Sequence, residues 1–464
     1  MNSYSKLKHT LPLLIPASSF DINPSFLVAL INSSFIIHNS PLTINHSPLR
    51  LIYTFLFYLF VPIILLRLLW RGVQAPDYWQ RWFERFGFST KLPDQQCLWI
   101  HAVSMGEVQA AVPLIQALQA RAQPILITTM TPTGSKRVRE IFGHTVWHVY
   151  LPYDLPGAIA RFLARLQPSL LIIMETELWP NLLYACQQRA IPVILANARL
   201  SANSAAGYQR IKGLAQEMFT SVTAIAAQTQ VDAARFIELG APPTKIHVTG
   251  SIKFDSRLPA DFSEKAAQLR RQWGENRAVW IAASTHEGEE EIILDAFNEL
   301  KKTFNELLLV LVPRHPERFN RVAALCSRRR FIIARRTENN VNAKTEIYLG
   351  DTMGELPLLY AACDIAFVGG SLVPIGGHNL LEPAAVGIPV IMGHHVFECA
   401  EIGRQLLEAQ AAQQVDDAVQ LVNIIKIYLN DATHRQQTGE NGRLFVQKNR
   451  GALARLLKII DEII

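Results

Sequence analysis

The residues best suited to chemistry fall in short polar clusters, each placed just after an apolar run. HAVSMGE, residues 101–107, ends in a carboxylate at the first turn of a helical stretch. A helix N-terminus favours the ionised form. That weakens a base, yet leaves it ready to take a proton, so Glu107 is a candidate general base. Ser104-x-x-Glu107 is also a capping box, and a purely structural role stays open on pattern alone. In METELWPN, residues 174–181, Glu177 suits a first-turn helix charge, whereas Glu175 lies too close to a strand end for solvated surface. TTMTPTGSKR, residues 128–137, and the glycine-rich FVGGSLVPIGGHNLLEP, residues 367–383, offer backbone N–H groups to an anion. Lys253 in GSIKFD presents a cation to an anionic leaving group, and Arg314 in VPRHPERF has the planar fork that grips phosphate. Glu382 is placed to accept two ribose hydroxyls. GDTMGEL, residues 350–356, is a further strand-to-helix turn.

Other patterns are set aside. HEGEEE, residues 286–291, lacks HExxH spacing and reads as a helix cap with a solvated face. Arg328–Arg330 with Arg335 and Arg336 reads as a solvated basic face. No G-x-G-x-x-G follows the first strand of either half and no GxxxxGK[ST] occurs, which weighs against NAD and Walker-type nucleotide hydrolysis.

The elements that position these clusters are regular. Short β-branched runs alternate with helical stretches. Expected strands are 98–103, 125–129, 146–151, 170–174, 193–196, 224–227 and 247–249. A second series follows at 279–283, 307–312, 331–334, 346–349, 365–368 and 389–392. Continuous apolar strands between helices predict parallel sheets covered on both faces. The expected fold class is therefore α/β, with two doubly wound domains, residues 73–252 and 253–464, joined by a hinge at Lys253–Phe262. Ligands of such sheets bind beyond the strand C-termini, so the two domains are expected to face a central cleft.

The chain has 464 residues, enough for two or three domains. Only 18% are charged and 49% are hydrophobic, which excludes a mainly disordered chain. The net charge of +6 suits an anionic substrate or membrane surface and does not argue for nucleic acid. Five cysteines, an odd number without a CxxC, argue for a reducing compartment. Residues 1–47 read as a poorly ordered leader. LIYTFLFYLFVPIILLRLLW, residues 51–70, predicts a membrane anchor over 48–72. Basic residues after it place the later chain in the cytoplasm if it crosses. Pro62 interrupts the helix and leaves a shallow anchor lying in one leaflet open as a variant.

Taken together, HAVSMGE, TTMTPTGS, METELWPNLL, NARLSANSAAGY, GSIKFD, STHEGEE, PRHPERF, GDTMGEL and GGHNLLEP resemble the 3-deoxy-D-manno-octulosonic acid (Kdo) transferases of lipopolysaccharide synthesis. The resemblance runs from about Leu51 to the C-terminus; residues 1–47 extend beyond the usual start, and GHHVFEC, residues 393–399, departs from the family pattern. It implies a GT-B glycosyltransferase on the cytoplasmic face of the inner membrane. Such an enzyme moves Kdo from CMP-Kdo to the lipid A precursor (lipid IVA) with inversion, using neither metal nor bound cofactor. It implies that Glu107 is the base and that Glu175 and Lys253 stabilise the transition state. It also implies that CMP is held by Pro313 and Arg314, by Met353, Gly354 and Glu355, and by Asn379, Leu380, Leu381 and Glu382. Fold alone leaves open another nucleotide-sugar transferase, an epimerase, or a non-catalytic nucleotide-sugar sensor.

Overall fold

The computed structural model describes residues 47–74, 76–89, 95–255, 261–338 and 340–464. The leader, apart from Ser47, lies outside the described residues. So do residues 256–260 of the expected hinge. The hinge's first residues belong to a fixed 3-10 turn, Ile252–Asp255, with Ile252 and Phe254 buried.

By internal contacts the chain divides into two compact units. One runs to Gly250 and includes Ala454–Ile464; the other is Ser251–Leu453. The first holds seven strands: β1 (Cys97–His101), β2 (Ile125–Thr129), β3 (Trp147–Tyr150), β4 (Pro168–Met174), β5 (Val193–Ala198), β6 (Ala224–Ala227) and β7 (Ile246–Val248). They pair in parallel in the order β3-β2-β1-β4-β5-β6-β7. The second holds β8 (Val279–Thr285), β9 (Leu308–Pro313), β10 (Ile333–Arg335), β11 (Ile347–Leu349), β12 (Ile365–Val368), β13 (Val390–Met392) and β14 (Ala412–Gln414). Their order is β10-β11-β9-β8-β12-β13-β14, again all parallel.

The two α/β domains are thus doubly wound, as the alternation of apolar runs predicts. Along β8, Val279, Ile281 and Ala283 join one buried cluster while Trp280 and Ala282 join another. Alternate residues point to opposite faces, so a strand buried on both must be apolar throughout. The sequence reading missed β14. Its residues, Ala-Gln-Gln, form an edge strand that carries no apolar run.

Side-chain caps fix where helices begin. Ser104, Thr131, Ser201 and Thr229 in the first unit, and Asp417 and Asp431 in the second, each accept a backbone N–H of the helix they open. In each sheet the first strand in sequence lies in the interior, and the winding reverses beside it. The switch points are β1/β4 and β8/β12, where open α/β sheets build their sites.

An apolar helix, Pro48–Gln74, precedes the first sheet. Its 26-residue apolar stretch is long enough to cross a membrane by length and composition.

Candidate active site

At the first unit's switch point two acidic segments emerge from neighbouring strands. After β1 the chain turns at Ser104 into the helix Met105–Gln119, which places Glu107 in the first turn. One Glu107 oxygen accepts the Val103 N–H at 2.9 Å, and the other accepts the Ser104 hydroxyl at 3.0 Å. The Ser104 oxygen accepts the Glu107 N–H in return, at 3.4 Å. The carboxylate is thus fixed in direction, with 8% of the residue exposed. The TTMTPTGS loop lies against it. Met130 N–H, at 3.1 Å, and Thr131 N–H, at 3.3 Å, both donate to the Val103 carbonyl. Thr131 then caps the next helix by accepting the Gly134 N–H, so that donor is committed and not open to an anion.

Glu175 follows β4 directly. Its N–H donates to the Ala196 carbonyl of β5, and its φ is +57°. Asn197 in β5 has φ +55°. Left-handed backbone at a glutamate costs on the order of 1 kcal/mol, and such strain gathers at functional sites. Beneath these loops, His101 at the end of β1 is fully buried, its Nδ1 2.9 Å from the Thr128 hydroxyl. Burial lowers its pKa to about 4, so it is neutral near pH 7.

The second unit's switch point is built differently. Ser284, near the end of β8, is also left-handed, with φ +58°. The helix Glu289–Lys301 follows. The expectation of a solvated acidic face fails here: Glu289 and Glu290 are buried. Glu289 accepts N–H groups from Gly370 (2.8 Å), Ser371 (3.1 Å), Leu372 (3.0 Å) and His286 (3.2 Å). Burial raises its pKa, and these hydrogen bonds oppose that rise. Glu290 pairs with Arg318 at 2.6 Å and accepts the Thr285 hydroxyl at 2.8 Å. A side chain at Gly369 would meet Glu289 Oε2 and the Ser284 carbonyl, both at 2.7 Å from its Cβ. Gly369 therefore leaves room for an internal carboxylate.

Beside this brace lies a cationic and imidazole cluster. His286 Nε2 is 2.8 Å from His378 Nε2, and the rings stack with centroids 5.0 Å apart. His315 meets His286 edge-on at 5.4 Å. Burial first, then neighbouring charge that includes Arg314, lowers His286 to about 4 and His378 to about 3. Both are neutral near pH 7, so one shares the other's N–H. Arg314 is held by its N–H to the Thr285 carbonyl at 3.0 Å. Among the described residues no carboxylate forms an ion pair with it. By contrast, Arg318 pairs with Glu290, Arg335 with Asp351 and Arg336 with Glu355. Arg329 pairs with Asp295, so three of the five arginines expected on a solvated face are in ion pairs, while Arg328 and Arg330 are exposed. Asn379 accepts the Leu381 N–H and donates to Glu382 at 3.0 Å. Burial raises the Glu382 pKa; the Asn379 hydrogen bond and the Arg314 charge pull it back.

The family model described as 3-deoxy-D-manno-octulosonic-acid transferase (kdotransferase) matches residues 80–256, and that for group 1 glycosyl transferases matches 261–445. A 3-deoxy-D-manno-octulosonic acid transferase of Haemophilus influenzae is 46% identical over 417 residues, 89% of this chain and 98% of that one. This chain belongs to the Kdo transferase family. It is also similar to the C-terminal CMP-Kdo binding domain of WaaA from Acinetobacter baumannii, 38% identical over 41% of this chain and 100% of that one, TM-score 0.39. UDP-GlcNAc 2-epimerase from Neisseria meningitidis shares the fold, at 15% identity and TM-score 0.54 over 79% of this chain and 100% of that one.

Within this Kdo transferase family member, Glu107 and Glu175 follow paired strands of the first sheet. Lys253 belongs to the other unit. Its turn is pinned by Asp255, which accepts N–H groups from Gly451 at 2.6 Å and Leu453 at 2.7 Å, and by Phe254 against Phe445. Pro313 ends β9 and Arg314 follows it, Met353 to Glu355 follow β11, and Asn379 to Glu382 follow β12. These strands lie side by side with β8. Met353 is exposed and Gly354 left-handed, at φ +85°. Glu355 is committed to Arg336 at 2.7 and 3.0 Å, which holds its pKa down. Its segment therefore has backbone, not that carboxylate, to offer a ligand. The departing stretch 393–399 packs on the glycine loop, with His395 N–H on the Ser371 carbonyl and Glu398 N–H on that of Gly376.

Sequence reasoning missed Glu289, His286 and His378. The signal was present in STHEGEE and GGHN, but three consecutive glutamates look like a solvated helix start. The first is bonded by a loop some eighty residues away, and the second is paired with Arg318.

Proposed function

We propose that the protein transfers Kdo from CMP-Kdo to a hydroxyl of the lipid A precursor, lipid IVA, with inversion, in lipopolysaccharide synthesis. The observation that carries this reading is the Glu107 carboxylate, buried at a switch point and aimed by the Val103 N–H and the Ser104 hydroxyl. The names of its relatives support the sugar and the reaction class.

In this mechanism Glu107 takes the proton from the acceptor hydroxyl as its oxygen bonds to the anomeric carbon of Kdo. The bond from that carbon to the CMP phosphate oxygen breaks, and CMP leaves with the electron pair. Positive charge builds on the sugar ring, as in glycoside hydrolysis. Glu175 stabilises that charge and Lys253 the departing phosphate. Arg314 grips the phosphate through its fork. Met353 to Glu355 and Asn379 to Glu382 hold the nucleotide, with Glu382 on the ribose hydroxyls. The apolar helix Pro48–Gln74 attaches the chain to phospholipid on the cytoplasmic side of the inner membrane, where the lipid acceptor resides.

The test incubates detergent-extracted protein with CMP-Kdo, generated in place, and tetraacylated lipid A precursor, and weighs the lipid by mass spectrometry. A gain of one or more Kdo units, inhibited by CMP and not by UDP, is expected. A folded, CMP-binding protein that leaves the lipid mass unchanged overturns the acceptor. Inhibition by UDP in place of CMP overturns the donor.

A further inference from the structure

The helix Pro48–Gln74 has two unlike faces. At one, Arg50, Tyr53, Phe57, Val61 and Ile64 recur every three or four residues and pack against the first unit. Tyr53 and Phe57 belong to its buried core, and Val61 and Ile64 lie against it. The contact is also polar. Arg50 donates to Asn181 at 3.2 Å and stacks on the Tyr184 ring at 3.6 Å. Thr54 donates to Asn181 at 3.0 Å. Asn181 is itself fixed, donating through its side chain to the Asp154 carbonyl at 2.8 Å and through its backbone to the Asp154 carboxylate at 2.9 Å. Tyr53 hydrogen-bonds that same buried carboxylate.

The chain beyond the helix returns to the same place. Trp79 folds back and donates to the Leu69 carbonyl at 3.2 Å. Arg81 donates to the His148 carbonyl and Glu84 accepts the Tyr150 N–H, both at 2.8 Å. Tyr153 N–H donates to the Arg85 carbonyl at 2.8 Å, and the Phe86 ring meets the Tyr153 ring at 5.8 Å. Tyr53, one turn into the helix, and Phe86, twelve residues past its end, therefore rest on the adjoining residues Asp154 and Tyr153. Two chain positions that touch one loop cannot lie on opposite sides of a bilayer.

The other helix face, with Phe55, Leu59, Ile63, Leu66 and Trp70, is exposed, and Phe83 beyond it is 75% exposed. The helix carries Arg50, Arg67 and Arg71 and no acidic residue, with Arg67 exposed. We propose that this helix does not cross the membrane. It lies along one leaflet, docked on the first unit by the Arg50, Tyr53 and Thr54 contacts to Asp154 and Asn181, with its outer face in the acyl boundary and Arg67 among anionic headgroups. This rests on the membrane reading above and sharpens it: both ends of the helix stay on the domain's side.

The test uses the full chain carrying Ser47→Cys, or Lys136→Cys as an exposed reference, in sealed vesicles whose bound domains face outward. A membrane-impermeant maleimide is added before and after detergent, with the unsubstituted chain as background. Ser47 lies beside Arg50, Tyr184 and Glu217 on the first unit. Labelling of both variants before detergent is expected. Labelling of Ser47→Cys only after detergent, with Lys136→Cys labelled before, overturns the proposal. A chain that washes off the vesicles overturns the membrane reading itself.

Discussion

Glu107 and Glu289 occupy equivalent places in two sheets. Each lies in the first turn of the helix that follows its sheet's first strand in sequence, beside the switch point of a doubly wound sheet. Both are buried, and both come from sequences that read as helix caps. Their surroundings differ. Glu289 is 0% exposed and takes four backbone N–H groups, three of them from the loop after β12. Its lone pairs are used inside the protein. Glu107 accepts the Val103 N–H and the Ser104 hydroxyl of its own loop and is 8% exposed. The capping position is shared; what differs is where these donors come from, a distant loop for Glu289 and the carboxylate's own loop for Glu107.

Substitutions can break this comparison. Glu289→Gln keeps the shape but turns an amide toward backbone donors, leaving at least two buried N–H groups unsatisfied. The expected loss of stability is about 4 kcal/mol, read from denaturant unfolding. A variant as stable as the parent would remove the distinction. Glu107→Gln is expected to cost less than about 1 kcal/mol in the same experiment.

The next effect is on pH dependence. His101 titrates at about 4 in the folded chain and at 6.5 when unfolded. Between those values the unfolded chain binds the extra proton, so acidification from pH 7 toward 4 favours unfolding. The ceiling for this one group is about 3 kcal/mol. Asp154, raised to about 6 by burial, acts in the opposite sense, binding its proton earlier in the folded state. His101→Asn should flatten the acid-side decline in melting temperature. An unchanged decline would mean that His101 is not the buried neutral group described.

Arg314→Ala should weaken CMP binding roughly 10- to 100-fold by calorimetry, because a charged hydrogen bond contributes about 1.5–3 kcal/mol. Unaltered affinity would place the nucleotide elsewhere. The smallest effect is at the cap. Ser104→Ala should cost about 1 kcal/mol of stability, since it removes one acceptor from the helix start. It should lower transfer far less than loss of Glu107, because the Val103 N–H still aims the carboxylate.

Much of this was legible in sequence, for a physical reason. A strand buried on both faces must be an unbroken apolar run, so strands such as β9 and β12 announce themselves, whereas the polar edge strand Ala412–Gln414 does not. Glu175 and Arg314 stand out because each follows an apolar strand at once, and Glu107 because it opens the helix after one. The role of Glu289 was hidden because its partners, Gly370 to Leu372, are brought to it only by pairing of β8 with β12. The docking of the apolar helix was hidden likewise: Tyr53 shows length and hydrophobicity in sequence, but its partner Asp154 lies a hundred residues on.

The most direct test of the account is a single comparison of Glu107→Gln with the parent, measuring melting temperature, CMP affinity and Kdo transfer to lipid together. A general base contributes about 10²- to 10⁴-fold. The account predicts melting and CMP binding close to the parent's, with transfer lowered by at least about 100-fold. Transfer within a few-fold of the parent, in a folded protein that binds CMP, would contradict the assignment of Glu107 as the base.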